Sequence, residues 1–75
     1  MKIVVYGRPG CGWCEKAKNL LNIKQVDYEY LSISDRDKLI SIADKYGMKT
    51  VPIVVHGTEL IGGYEQLEKY LVETT

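Results

Sequence analysis

Short β-branched runs alternate along this chain with longer stretches of helical periodicity, and glycine or proline clusters fall at most of the junctions. Residues 2–6 carry Ile3, Val4, Val5 and Tyr6 without interruption, the pattern of a buried strand. The breaker cluster Gly7-Arg8-Pro9-Gly10 follows, after which Cys14, Ala17, Leu20 and Leu21 mark one face of a helix predicted over Gly12–Ile23. Alternation over residues 26–33 predicts a second strand. Ser34 with Asp37 resembles a capping box, opening a helix with the stripe Leu39, Ile42, Ala43 and Tyr46 and with Gly47 at its C′ position. After the Met48-Lys49-Thr50 loop, residues 51–55 and 58–61 predict two strands joined at His56-Gly57 as a hairpin. Gly62-Gly63 then punctuates the chain before a last helix with the stripe Tyr64, Leu67 and Leu71.

The resulting order, β-α-β-α-β-β-α, combines a right-handed βαβ crossover, which makes its strands parallel, with an antiparallel hairpin. Helices on both faces then give an α/β domain: a four-stranded mixed sheet flanked by three helices. This is the thioredoxin core without additions. No repeat, low-complexity tract or linker divides residues 1–75, so a single domain is expected. At 75 residues the core is thin, since a chain this small buries only about 60% of its unfolded surface.

Composition sharpens the picture mainly through charge. The chain has no net charge, which gives no electrostatic footprint for nucleic acid or an anionic membrane. Residues 1–24, however, hold Lys2, Arg8, Lys16, Lys18 and Lys24 against Glu15 alone, a net +4 balanced by −4 in the remainder. This positive segment contains both cysteines. No run approaches the ~20 apolar residues of a membrane span, and the first apolar run is too short for a signal-peptide core. A soluble, cytoplasmic monomer is expected.

The cysteines stand as Cys11-Gly12-Trp13-Cys14, between a predicted strand and a predicted helix. As a structural bridge the pair would close too short a loop to restrain an unfolded chain appreciably. In a βαβ setting the same spacing points to redox chemistry. A thiol attacks a disulfide as thiolate, and Cys11 at a helix N-terminus has unpaired backbone N–H groups and the helix dipole to stabilise the anion. Cys11 is therefore expected to be the exposed nucleophile. Cys14, one turn on and on the apolar face, is expected to be buried, with a raised pKa, and to act as the resolving thiol. Pro52 heads an otherwise β-branched run. It is either the strand's first residue or the second half of a cis Val51–Pro52 bond that turns the Val51 backbone toward the cysteines, where an extended thiol peptide can pair. His56 with the two cysteines is too few ligands for a structural zinc site, which is almost always four-coordinate. It reads as an exposed turn residue, and no metal is required.

The segments Tyr6-Gly7-Arg8-Pro9-Gly10-Cys11-Gly12-Trp13-Cys14, Thr50-Val51-Pro52 and Ile61-Gly62-Gly63-Tyr64 resemble, in order and spacing, the three signatures of glutaredoxins. The resemblance covers nearly the whole chain. It implies a thiol-disulfide oxidoreductase with glutathione as reductant and co-substrate, acting on disulfide-containing or glutathionylated proteins, often including ribonucleotide reductase. It also implies a glutathione site made of Trp13, Thr50, Val51, Pro52, Gly63, Tyr64 and the start of the last helix, with Trp13 walling the groove and the Val51 backbone pairing with the tripeptide. Physical chemistry agrees that glycines at 62 and 63 let a ligand approach, and that helix N–H groups beyond them suit the γ-glutamyl carboxylate. Arg8 is a candidate for the glycine carboxylate, with a solvated surface arginine as the plain alternative.

Two positions depart from the family pattern, Gly12 where proline is common and Gln66 where aspartate is common. The second removes the usual partner of the glutathione amino group, for which Glu65 is the neighbouring substitute. Two other readings of the chain remain open at this stage. One is the same chemistry fed by thioredoxin reductase. The other is a non-enzymatic carrier of a [2Fe-2S] cluster in a glutathione-linked dimer.

Overall fold

In the computed structural model, which describes residues 2–74, the elements follow the expected order: β1 (Ile3–Gly7), α1 (Gly12–Ile23), β2 (Tyr28–Ser32), α2 (Arg36–Tyr46), β3 (Ile53–His56), β4 (Glu59–Gly62) and α3 (Tyr64–Thr74). The strands lie side by side as β2-β1-β3-β4, with β1 parallel to β2 and antiparallel to β3, and β3 antiparallel to β4. This is the mixed sheet of the thioredoxin fold. Among the described residues no helix is long and apolar enough to cross a membrane.

The period of two along β1 decides which side chains meet. Ile3 and Val5 point to one face, where with Val54 they meet Ala17 and Leu21 of α1 and Leu67 and Leu71 of α3. Tyr6 points to the other face, its ring 6.4 Å from that of Tyr46 on α2. The α2 stripe Leu39, Ile42, Ala43 and Tyr46 lies on the inward side as expected, yet each of these residues is only half-buried. The denser core therefore lies under α1, beneath the cysteines.

Several boundaries differ from the sequence pattern for local reasons. The helix α2 is capped by Asp35, whose carboxylate accepts from the N–H groups of Asp37 and Lys38 at 3.0 and 3.2 Å, so the Ser34 capping box is corrected. The strand β3 starts at Ile53, because Pro52 has no N–H for the ladder. The hairpin turn is Gly57-Thr58 and His56 closes the strand, with its Nδ1 2.7 Å from the Tyr70 hydroxyl; the expected exposed turn histidine is half-buried instead. In the β3–β4 ladder Val55 faces Leu60 while Val54 faces Gly62, so the register skips Ile61 and forms a bulge. The bulge delivers the chain to Gly62-Gly63 and the start of α3.

Candidate active site

Cys11 is the N-cap of α1 in the structural sense as well as by position. Its backbone is extended, its carbonyl accepts from Glu15 N–H at 3.2 Å, and its Sγ accepts from Cys14 N–H at 3.2 Å. A sulfur thus occupies the place usually taken by a serine or aspartate oxygen, where an anion is favoured by the helix terminus. The same bond corrects the expectation of an exposed Cys11. Because the side chain curls back over the first turn, the residue is only 9% exposed, with its reactive edge on a groove.

Cys14 is completely buried, and both cysteines are free thiols. Burial pushes the Cys14 thiol up to about 11, and hydrogen bonding to Cys11 pushes the same way. Two neighbouring polar groups work against that rise, the Arg8 backbone and the Tyr30 hydroxyl. The buried, reluctant second thiol expected from the helix period is thus present.

The groove beside Cys11 has a volume of about 850 Å³. Of the site residues singled out in the sequence, Arg8, Gly12, Trp13, Thr50 and Val51 line it. The Val51–Pro52 peptide bond is cis, and Pro52 is buried. Trp13 is 53% exposed, held between the Lys16 ammonium, 4.4 Å from its ring centroid, and the Tyr64 ring at 5.6 Å. Arg36 at the start of α2 and Lys49 before Thr50 also line the groove, and sequence reasoning missed both. Lys49 adjoins the Thr50-Val51-Pro52 segment, which was its available signal. Arg36 had none.

The remaining candidates form a second cluster around the start of α3, outside the groove lining but adjoining it. Tyr64 reaches Trp13, and a Cβ added to Gly63 would sit 3.7 Å from the Pro52 carbonyl oxygen. Gly63 caps α3 through its carbonyl, which accepts from Leu67 N–H at 3.0 Å, but it has no side chain to offer the helix N–H groups. Gln66 supplies the reciprocal half of a capping box, its Oε1 accepting from Gly63 N–H at 3.0 Å. Its side chain lies against Gly62, where a Cβ would come within 2.8 Å of it. Gln66 is therefore turned back on its own helix terminus, and Glu65 beside it is exposed.

A buried thiol one turn behind an N-capping thiol, after the first strand of a thioredoxin fold, is an arrangement suited to thiol-disulfide exchange. Comparison with known proteins makes the assignment narrower. The family profile described as Glutaredoxin matches residues 3–61, and the chain belongs to the glutaredoxin family. Its relatives include glutaredoxin 1 of Escherichia coli K12, 32% identical, with 97% of this chain and 95% of that protein aligned. Other relatives are longer. The hybrid peroxiredoxin hyPrx5 of Haemophilus influenzae is 38% identical over 91% of this chain, which spans 28% of that protein. The N-acetyl-S-hydroxy-L-cysteine reductase of Bacillus subtilis is 40% identical over 76% of this chain, with 62% of that protein aligned. Among solved structures, a buckwheat glutaredoxin-glutathione complex superposes with a TM-score of 0.82 at 26% identity, covering 96% of this chain and 69% of the other.

Proposed function

We propose that this chain is a glutathione-dependent oxidoreductase that reduces glutathione mixed disulfides and protein disulfides through Cys11 and Cys14. The observation that carries this reading is the groove itself: three cations, Arg8, Arg36 and Lys49, surround a cavity that opens on Cys11. Glutathione is a small thiol with two carboxylates, and charge-assisted hydrogen bonds to such groups are the strong ones. The buckwheat complex, a structural neighbour, adds support from outside the chain. In this reading Trp13 walls the groove and the Val51 backbone pairs with the tripeptide. The α3 terminus from Gly63 to Gln66 takes the γ-glutamyl end.

The chemistry follows from the two thiols. The Cys11 thiolate attacks the glutathione sulfur of a mixed disulfide, and the released protein thiolate takes a proton. A second glutathione thiolate then attacks the adduct, giving glutathione disulfide and free Cys11. With a protein disulfide, Cys11 forms the mixed disulfide and Cys14 displaces the substrate thiol by bonding to Cys11 Sγ. The internal disulfide is reopened by glutathione.

A second reading, electrons from thioredoxin reductase, is favoured by one observation. Gln66 puts its amide oxygen on Gly63 rather than offering a carboxylate to a glutathione amino group. A coupled assay separates the two. A glutathionylated peptide is supplied with either glutathione and glutathione reductase or thioredoxin reductase, with NADPH consumption as the readout. Turnover with glutathione is expected; turnover with thioredoxin reductase alone overturns the first reading.

A further inference from the structure

Gly7 ends β1 directly against the resolving thiol, and what fills the space of its missing side chain is the tip of Tyr30. A Cβ built on Gly7 would fall on the Tyr30 hydroxyl, 3.0 Å from Tyr30 Cζ and 2.9 Å from Cys14 Sγ. The hydroxyl and the sulfur therefore border the same small volume over a glycine. The β1–β2 register produces this arrangement. Gly7 pairs with Ser32 and Val5 with Tyr30, so the Tyr30 side chain lies on the α1 face and leans along the sheet toward Gly7. Its ring is held from outside by the Lys18 ammonium, 4.4 Å from the centroid, which Glu15 fixes at 2.8 Å.

From this geometry we infer that the Tyr30 hydroxyl is a positioning and activating group for the second half-reaction: it donates a hydrogen bond to the Cys14 sulfur as that sulfur becomes a thiolate and attacks Cys11. The inference rests on the proposed assignment of Cys14 as the resolving thiol. Resolution breaks the bond between Cys11 and the substrate sulfur and forms the Cys11–Cys14 bond. The proton lost by Cys14 ends on the departing substrate thiolate, and Tyr30 keeps its own. An apolar interior opposes a bare thiolate, so a buried resolver needs donors that replace water. The polar groups near enough to serve are the Arg8 backbone and the Tyr30 hydroxyl, the latter bordering the same space over Gly7 as the sulfur. Burial, with the adjoining Cys14, pushes the Tyr30 phenol up to about 12, which keeps it a donor wherever the enzyme works. The other titratable groups facing the pair are Cys11, Glu15 and Lys18 from α1. Val5 of β1 and Leu67 of α3 close the same face with apolar side chains.

An aromatic disulfide such as 5,5′-dithiobis(2-nitrobenzoate) reads the two half-reactions separately and needs no glutathione. Attack by Cys11 releases one coloured thiolate, and resolution by Cys14 releases the second. Tyr30→Phe keeps the ring and removes the oxygen. The second phase is expected to slow about tenfold, with its pH midpoint about one unit higher, as for loss of one hydrogen bond to an anion. The first phase is expected to be unchanged. Equal slowing of both phases, or no change in the second, overturns the inference. Cys14→Ser must abolish the second phase; if it does not, the resolver assignment falls and this inference with it. Absence of glutathione turnover with both phases intact would instead overturn only the choice of reductant. On the unmodified protein, the carbon-13 resonance of Tyr30 Cζ is expected to move with the ionisation of Cys14. A flat titration there overturns the inference even if Tyr30→Phe fails to fold.

Discussion

At the scale of single residues, two glycines set how closely the functional parts approach. Gly7 admits Tyr30 to Cys14, and Gly62, at φ 127°, admits Gln66 to the turn before α3. Gly7→Ala would force a methyl group into the hydroxyl and to within 2.9 Å of the Cys14 sulfur. The expected cost is about 1–3 kcal/mol, the usual range for overpacking a filled site, measured by urea denaturation of the reduced protein. Combining it with Tyr30→Phe should recover part of that loss, since the oxygen is the atom in the way. Gln66→Asp tests the other end of the site. A carboxylate near the α3 terminus suits both the helix dipole and a ligand ammonium group, so the KM for glutathione is expected to fall by about fivefold or more, equivalent to the roughly 1–3 kcal/mol of a charge-assisted hydrogen bond. An unchanged KM would mean that Glu65 or the helix terminus already provides the anchor. The cysteine pair and the Gln66 departure were legible in the sequence because each lies inside a short motif. Tyr30 carried no such signal, since its place beside Cys14 depends on strand register, which no local pattern displays.

At the scale of elements, α1 sets the division of labour proposed for the two thiols, because one helical turn separates a thiol on the cap from a thiol in the core. Cys11→Ser is expected to abolish all thiol transfer, since a serine hydroxyl is not ionised near neutral pH and Cys14 is buried. Cys14→Ser should retain reduction of glutathione mixed disulfides, whose adduct a second glutathione resolves, and lose most reduction of protein disulfides. Iodoacetamide should alkylate Cys11 before Cys14 in the wild-type protein. If Cys14→Ser loses both activities equally, the roles assigned here are wrong. All seven elements were readable from periodicity, and the misplaced ends have a common cause. A hydrophobic pattern marks what is buried, whereas strand ends follow the partner strand and helix ends follow the better cap. Residues 26 and 27 continue the apolar alternation but lie before the five register pairs that β1 offers β2. Asp35 takes the α2 cap from Ser34 because a carboxylate accepts from two N–H groups at once.

At the scale of the whole molecule, the fold recombines charges that the sequence keeps apart. The basic first segment contributes Arg8, but Arg36 and Lys49 come from the part of the chain that is net acidic, and only the packing of α2 beside the active-site loop brings the three to one groove. The electrostatics of the site were therefore half legible. The same global packing couples the active site to stability, through the thiol it buries. The Cys14 thiol has an ordinary value of 9.0 and is pushed up to about 11 in the folded, reduced protein, first by burial. Above pH 9 an unfolded chain gains by ionising this thiol while the folded chain does not, so unfolding becomes more favourable as pH rises. The stabilising difference is fully present below pH 9 and is lost by about pH 11. Tyr30, moved from 10.0 to about 12, adds a loss of the same sign that starts later, as does Lys18 from its ordinary 10.5. Between pH 9 and 10, then, the decline should belong chiefly to Cys14. Thermal unfolding of the reduced protein should show a falling Tm across that interval, and Cys14→Ser should flatten it. The internal disulfide should flatten it as well, because the oxidised protein has no thiol there to ionise. A Tm that falls equally in all three would place the cause elsewhere in the fold and remove the link between the buried thiol and stability.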